Sequence, residues 1–113
     1  MQLEIDVRTE DGSAIVTPRG EIDLATQGQL KKAIDDMVVA GDVNLVIDLD
    51  ETTFLDSTGL GVLIGARRKA YAFKGSFCIV CSNEDLLRLF RMTSLDKVFT
   101  IHESRAAATT STS

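Results

Sequence analysis

Long apolar runs are missing from the sequence, and this absence excludes a membrane-spanning helix. Such a helix needs about 20 apolar residues in succession, and the longest apolar stretch, from Gly59 to Ala66, is far shorter. The N-terminus also lacks the basic region followed by an apolar one that marks a signal peptide. We therefore expect a cytoplasmic protein with no membrane partner.

Basic charge is also scarce. The 113 residues carry 12 lysines and arginines against 17 aspartates and glutamates, which gives a net charge of −5. Nonspecific nucleic-acid binding depends on basic side chains that neutralise phosphates. The one basic cluster, Arg67–Lys69, is typical of the solvent-exposed face of a helix. The charge balance therefore predicts no nucleic-acid partner.

Residues that could catalyse a reaction or bind a metal are few. The single histidine, His102, lies near the C-terminus and is a poor candidate for the base that a nucleophilic serine requires. The two cysteines, Cys78 and Cys81, lie in a β-branched and aromatic segment that predicts a strand. Two residues that lie three positions apart on a strand have side chains on opposite faces. We therefore expect two buried, reduced thiols. The sequence predicts no catalytic residue, no metal site and no cofactor.

The chain opens with the pattern of a β-hairpin. Residues 3–8 alternate apolar and polar side chains, Asp11-Gly12 provides a turn, and a second strand-like segment follows over 13–19. Pro18 lacks a backbone donor, so it is expected at a strand end or on an edge. The hairpin predicts that one strand pair of the sheet is antiparallel.

Helical and strand-like segments alternate along the rest of the chain. The helical segments fall at 24–40, 57–73 and 83–92, and the strand-like segments at 43–49, 76–81 and 97–101. Helices that alternate with buried strands predict crossover connections and a mainly parallel sheet. The predicted fold class is α/β in the order β-β-α-β-α-β-α-β, a small mixed β-sheet opened by a β-hairpin, with helices packed alongside.

Neither a repeat nor a linker divides the chain, so we expect a single domain over residues 1–104. Residues 105–113 are small, polar and low in complexity, which predicts a flexible C-terminal tail. The sequence shows no heptad repeat or other oligomer signature, and the free chain is expected to be a monomer.

The segment "FLDSTGLGVLIG", residues 54–65, is the most informative part of the sequence. Its glycines enter a helix as in a dinucleotide loop, but their spacing is one residue too long for that fingerprint, and no G-K-[ST] is present. Ser57 is placed either to cap the helix by accepting a backbone N–H or to accept a phosphate, which the helix dipole would favour. The residues alone leave both roles open.

Three segments resemble a known family. They are "GEIDLAT" at 20–26, "VIDLDETTFLDSTGLGVLIGARRKA" at 46–70 and "LLRLFRMTSLDKVFTIHES" at 86–104. Together they resemble the STAS-domain anti-sigma-factor antagonists of bacteria, over almost the whole chain up to about Ser104. The most specific part is D-S-[ST]-G-L-G-V-L, and the G-E-[IL]-D element supports it.

The resemblance implies partner switching. In this family the unphosphorylated antagonist binds an anti-sigma factor, which then releases its sigma factor to RNA polymerase. The anti-sigma factor is commonly also an ATP-dependent serine kinase that phosphorylates the antagonist, and a PP2C-type phosphatase restores the active form. ATP and magnesium would belong to the kinase, so the resemblance implies no cofactor and no enzyme activity for this chain.

Carried onto this sequence, the family pattern makes Ser57 the phosphoacceptor and Thr58 a weaker second acceptor. Asp23 and Asp56 would lie at the rim of the site, and the start of the following helix would form the docking surface. The partner-binding residues implied in this way are Asp23, Asp56, Ser57, Thr58, Gly59, Leu60 and Gly61.

Two alternatives remain open from the sequence. One is a constitutive, non-phosphorylated STAS scaffold in which Ser57 only caps the helix, and the other is a small nucleotide-binding domain or enzyme. A serine directly after Asp56 favours the switch. The missing phosphate loop and the missing base argue against the nucleotide-binding domain and the enzyme.

Overall fold

A computed structural model describes the backbone of residues 3–111 and the side chains of residues 3–108. The strands are β1 (Leu3–Glu10), β2 (Ser13–Ile22), β3 (Asn44–Asp48), β4 (Thr52–Leu55), β5 (Ser76–Val80) and β6 (Ile101–His102). The helices are α1 (Gln27–Val39), α2 (Ser57–Ala72), α3 (Glu84–Met92) and α4 (Arg105–Ser111), with a 3₁₀ helix at Leu95–Lys97. The strands form one sheet in the order β1-β2-β3-β5-β6, and β4 pairs with β2.

The sheet is mixed in the way that the sequence predicts. β1 and β2 are antiparallel and form the opening hairpin, whereas the other strand pairs are parallel. The hairpin turn lies at Asp11 and Gly12, whose φ angles of 50° and 82° are both positive, as a two-residue turn between twisted strands requires. The predicted α/β fold with a mixed sheet is confirmed.

Pro18 lies inside β2, not at a strand end. β2 changes its parallel partner along its length, because Ala14–Val16 pair with β3 and Gly20–Ile22 pair with β4. Pro18 falls between these two pairings, where its missing N–H interrupts neither parallel ladder. Its carbonyl oxygen accepts a hydrogen bond from the Thr52 hydroxyl at 3.0 Å, which ties β2 to the start of β4.

Several predicted boundaries differ from the structure. α1 begins at Gln27 instead of residue 24, because a hydrogen-bonded turn between Asp23 and Thr26 precedes it. The sequence does not indicate β4 as a separate strand, since its burial follows no period-two alternation. The last strand occupies Ile101–His102 instead of 97–101, because the 3₁₀ helix at Leu95–Lys97 and the turn after it, in which the N–H groups of Val98 and Phe99 donate to the Leu95 carbonyl, precede the strand. Among residues 3–111, no helix is both long enough and apolar enough to cross a membrane.

Both faces of the sheet are covered. α1, α2 and α3 bury their apolar side chains against one face, and the largest of these include Leu30, Ile34, Leu63 and Phe90. A smaller cluster on the other face consists of Ile15, Val46, Cys78, Val80 and Ala108. Cys78 and Cys81 belong to different clusters and are free and buried, which confirms two reduced thiols on opposite faces. Burial raises the pKa of the Cys78 thiol to about 11.

The C-terminal segment differs most from its prediction. The sequence predicts a flexible tail over 105–113, but Arg105–Ser111 form α4, and Ala108 is fully buried. The Arg105 guanidinium lies 3.5 Å from the largely buried Asp48 carboxylate. The physical reason lies in the sheet, because its second face is apolar and small alanine side chains let a helix approach it closely. Residues 112 and 113 lie outside the described part of the chain.

Candidate functional site

The candidate site lies where β2 and β4 end side by side. Ile22 pairs with Leu55 in parallel register, and the Asp56 N–H donates to the Ile22 carbonyl at 3.2 Å. Asp23 and Asp56, which each follow one of these paired residues, therefore emerge at the same edge of the sheet. The carboxyl edge of parallel strands is the usual place for a binding site in α/β folds.

Asp56 caps α2. Its Oδ1 accepts the backbone N–H of Thr58 at 2.9 Å and of Gly59 at 3.2 Å, and it also accepts the Thr58 hydroxyl. These hydrogen bonds lower the pKa of Asp56 below its usual value. The bond from the Thr58 hydroxyl contributes most, and the backbone N–H groups of Gly59, Thr58 and Leu24 contribute the rest. The helix cap is therefore Asp56, and the interpretation of Ser57 as the cap is wrong.

Ser57 is the first residue of α2 and its side chain is exposed. Because Asp56 accepts the capping hydrogen bonds, the Ser57 hydroxyl is not required for the start of the helix. Thr58 differs in this respect, since its side chain is half-buried and its hydroxyl donates to Asp56. The two neighbouring hydroxyls are thus in different environments, one exposed and one engaged.

Asp23 organises the loop between β2 and α1. Its Oδ1 accepts the N–H groups of Ala25 at 2.9 Å and Thr26 at 3.0 Å. The Thr26 side chain is buried, and its hydroxyl donates to the Glu21 carbonyl at 2.8 Å. Asp23 and Asp56 therefore fix the two loops that border Ser57.

The residues after Thr58 have different roles from one another. Gly59 is buried, and an added Cβ would overlap Leu55 Cδ1 and lie 2.7 Å from Ile22 Cγ2, so glycine lets α2 start close to β2 and β4. Leu60 is buried in the main core, and its side chain is not available to a partner. At Gly61 an added Cβ would meet nothing within 4 Å, so Gly61 lies at the surface.

Two exposed apolar residues beside the site are not evident from the sequence. Leu24 follows Asp23 and is 74% exposed, and Phe54 lies two residues before Asp56 and is 47% exposed. Their sequence positions give no signal, because an apolar residue inside a strand-like or helical pattern predicts burial. Contiguous apolar patches rimmed by polar residues are typical of surfaces that bind proteins, and Leu24 and Phe54 are the exposed apolar side chains that the site could contribute to one.

The site does not have the features of a cofactor pocket. The N–H groups of Thr58 and Gly59, which a nucleotide phosphate would need, already donate to Asp56. The Asp56 carboxylate would also repel a phosphate placed there. In the part of the chain that the structure describes, no three His, Cys, Asp or Glu side chains are grouped to hold a metal ion.

The capping role of Asp56 leads to a prediction about stability. Asp56→Ala is expected to lower the melting temperature, while Asp56→Asn is expected to keep most of it, because asparagine caps nearly as well as aspartate. Since the folded-state pKa is lowered, the charged cap stabilises the fold above the unfolded pKa. The difference in melting temperature between the wild type and Asp56→Ala should therefore shrink as the pH falls below 3.8. Circular-dichroism melts of the three proteins between pH 2 and 7 test this, and identical melting temperatures at pH 7 would contradict the cap.

Comparison with known proteins identifies the family. Residues 4–108 match the STAS domain, and the chain belongs to that family. An anti-sigma-B factor antagonist of Listeria monocytogenes is 32% identical over 102 residues, which cover 89% of this chain and 90% of the relative. An anti-sigma F factor antagonist of Paenibacillus polymyxa is 32% identical over 112 residues, covering 97% and 95%.

A solved structure agrees with this assignment. The crystal structure of an anti-sigma factor antagonist from Mycobacterium paratuberculosis matches with a TM-score of 0.90 at 32% identity, covering 98% of this chain and 94% of that one. The family match ends at residue 108, within α4, whereas the sequence predicts a domain that ends at residue 104.

Proposed function

We propose that this chain is an anti-sigma-factor antagonist controlled by phosphorylation of Ser57. The unphosphorylated form binds an anti-sigma factor that is also a serine kinase, and the sigma factor is released. Phosphorylation of Ser57 prevents this binding. The observation that carries the proposal is the exposed Ser57 hydroxyl at the first position of α2, directly after the capping Asp56. The names of the two relatives and of the solved structure support the same partner class.

The position of Ser57 would let the fold tolerate a phosphate while a complex would not. A phosphoserine adds up to two negative charges at the positive end of the α2 dipole, where anions are favourable. The same charges would lie beside Asp23 and Asp56, at a surface that also carries Leu24 and Phe54. A partner surface that fits a neutral hydroxyl would then meet a strongly negative site.

Thr58 is proposed as a secondary acceptor only. Its hydroxyl donates to Asp56, and transfer of the ATP γ-phosphoryl group to this oxygen would require breaking that hydrogen bond and exposing a half-buried side chain. The proposed order of reactivity is therefore Ser57 before Thr58.

The remaining parts of the switch belong to other proteins. The kinase would supply ATP and magnesium, and a PP2C-type phosphatase would return the chain to its binding form. We propose a monomeric, cytoplasmic binding protein with no cofactor, no enzyme activity and no nucleic-acid partner.

The test is phosphorylation in vitro with matched variants. The chain, Ser57→Ala and Thr58→Val are each incubated with the purified anti-sigma factors of the source bacterium and Mg-ATP, and peptides are analysed by mass spectrometry. One phosphate on the segment 54–65 is expected in the wild type and in Thr58→Val, but not in Ser57→Ala. If binding occurs and no phosphate forms, the chain is the constitutive scaffold instead. The exposed Leu24 and Phe54 would serve such a scaffold equally well.

A further inference from the structure

A groove between α1 and α2 begins at the site. It encloses about 250 Å³ and starts beside Thr58, next to Ser57 in the chain. Its apolar lining comes from both helices and includes Ile34, Val62 and Ala66. Lys31 of α1 and Lys69 of α2 also line it.

A second part of the groove lies toward the other end of the two helices, beyond the ion pair of Lys69 with Asp35. A second hollow shares Asp35 and Lys69 with the first and is further lined by Val38, Val39 and Phe73. Val39 and Phe73 are 87% and 63% exposed, so this part of the groove presents apolar side chains to the solvent. The two hollows thus follow the length of α2, whose 16 residues span about 24 Å.

Two glycines of α2 line the groove without any role in the packing of this chain. An added Cβ at Gly61 or Gly65 would meet nothing within 4 Å, and neither residue has a positive φ. Gly59, in contrast, is required by Leu55 and Ile22. Glycine inside a helix is less favourable than alanine, so Gly61 and Gly65 reduce helix stability with no compensating contact in the free chain. They leave the α2 backbone open to close approach from outside.

The charges that line the groove have a net positive sign. Asp35 accepts hydrogen bonds from both Lys31 and Lys69, which lower its pKa. Two lysines against one carboxylate leave one positive charge in the groove of a chain whose net charge is −5. An acidic group would therefore be attracted to the middle of the groove, whereas the Ser57 end is bordered by Asp23 and Asp56.

We propose that the groove binds an amphipathic helix of the anti-sigma factor, with an apolar face against α1 and α2 and an acidic side chain near Lys31 and Lys69. This inference rests on the proposed function and defines the partner surface for it. A helix suits the groove, because the groove is lined by two helices and its glycines permit a close helix–helix approach. One end of the bound helix lies next to Ser57, so a phosphate there would repel an acidic partner.

Steric filling of the groove tests the proposal. Gly65→Leu places a large side chain in the groove, and Gly28→Leu is the matched control, since Gly28 is an exposed α1 glycine whose added Cβ also meets nothing within 4 Å. Affinity is measured by isothermal titration calorimetry with the purified anti-sigma factors of the source bacterium. Gly65→Leu is expected to bind at least about tenfold more weakly than wild type, with Gly28→Leu unchanged. Both variants should show native circular-dichroism spectra.

A charge series tests the acidic character of the partner helix. Asp35→Asn releases both lysines and is expected to tighten binding, whereas Lys69→Gln is expected to weaken it. Opposite directions for the two variants also separate an electrostatic effect from a loss of folding, which would weaken both.

The outcomes distinguish the groove from the proposed function. If the wild type binds, Ser57→Asp weakens binding, and Gly65→Leu binds like wild type, then the groove proposal is wrong and the switch stands. If Gly65→Leu loses affinity and Asp35→Asn gains it, the groove proposal is supported. If the wild type binds none of the purified anti-sigma factors, both proposals are overturned.

Discussion

Replacing Ser57 with aspartate is expected to lower the affinity for the anti-sigma factor by about 100-fold, because like charges forced together at an interface cost several kcal/mol. Asp23 and Asp56 already border this position, and the new carboxylate adds to their charge. Ser57→Ala, which removes the hydroxyl without adding charge, is expected to bind within about threefold of wild type. Titration calorimetry of the three proteins with the purified anti-sigma factor measures both effects.

The same pair of variants separates binding from folding. A carboxylate at the first position of a helix interacts favourably with the helix dipole, which offsets its repulsion from Asp23 and Asp56, so Ser57→Asp should melt close to wild type. A weakly binding but fully folded aspartate variant is the expected combination. Equal affinities of the aspartate and alanine variants would contradict a charge-controlled switch at Ser57.

Gly75→Ala is expected to destabilise the fold by about 3 kcal/mol or more, since overpacking against atoms that cannot move is costly. An added Cβ would overlap the Val43 carbonyl oxygen and lie 2.7 Å from Val43 Cβ. That carbonyl accepts the Ser76 N–H at 3.0 Å, which starts the pairing of β5 with β3. The methyl group would therefore push apart the two central strands where they begin.

Urea denaturation measures this loss, with Gly65→Ala as the control. Both substitutions add one methyl group to a glycine near or inside α2, but the Cβ at position 65 meets nothing within 4 Å. Gly65→Ala is expected to leave stability unchanged or to raise it by up to about 1 kcal/mol, as helix propensity predicts. A similar loss in both variants would contradict the steric explanation.

The regular elements could be predicted because their side-chain patterns are set by burial within each element. α3 illustrates this, since it occupies Glu84–Met92 within the predicted segment 83–92, and Asn83 caps it by accepting the N–H groups of Asp85 and Leu86. β4 could not be predicted, because its existence depends on the end of β2. α4 likewise depends on a distant apolar sheet face that covers Ala108 and not on its own composition.

The sequence could name candidate residues for the site, but it could not predict the surface that surrounds them. The family resemblance points to Asp23, Asp56 and Ser57, and parallel pairing of Ile22 with Leu55 brings the three residues to one edge of the sheet. Which of the neighbouring residues caps the helix depends on backbone angles, and these favour Asp56. Burial of Leu60, exposure of Leu24 and the groove between α1 and α2 all arise from packing between segments that are far apart in the chain.

The start of α2 also restricts which enzymes can act on Ser57. Asp56 is extended and Ser57 is helical, so the hydroxyl belongs to a folded turn. An enzyme that binds its substrate as an extended strand would have to unwind this turn and break the bonds from Thr58 and Gly59 to Asp56. Phosphorylation of Ser57 as proposed would therefore depend on recognition of the three-dimensional shape of the intact domain. A short synthetic peptide with the same residues would not present that shape.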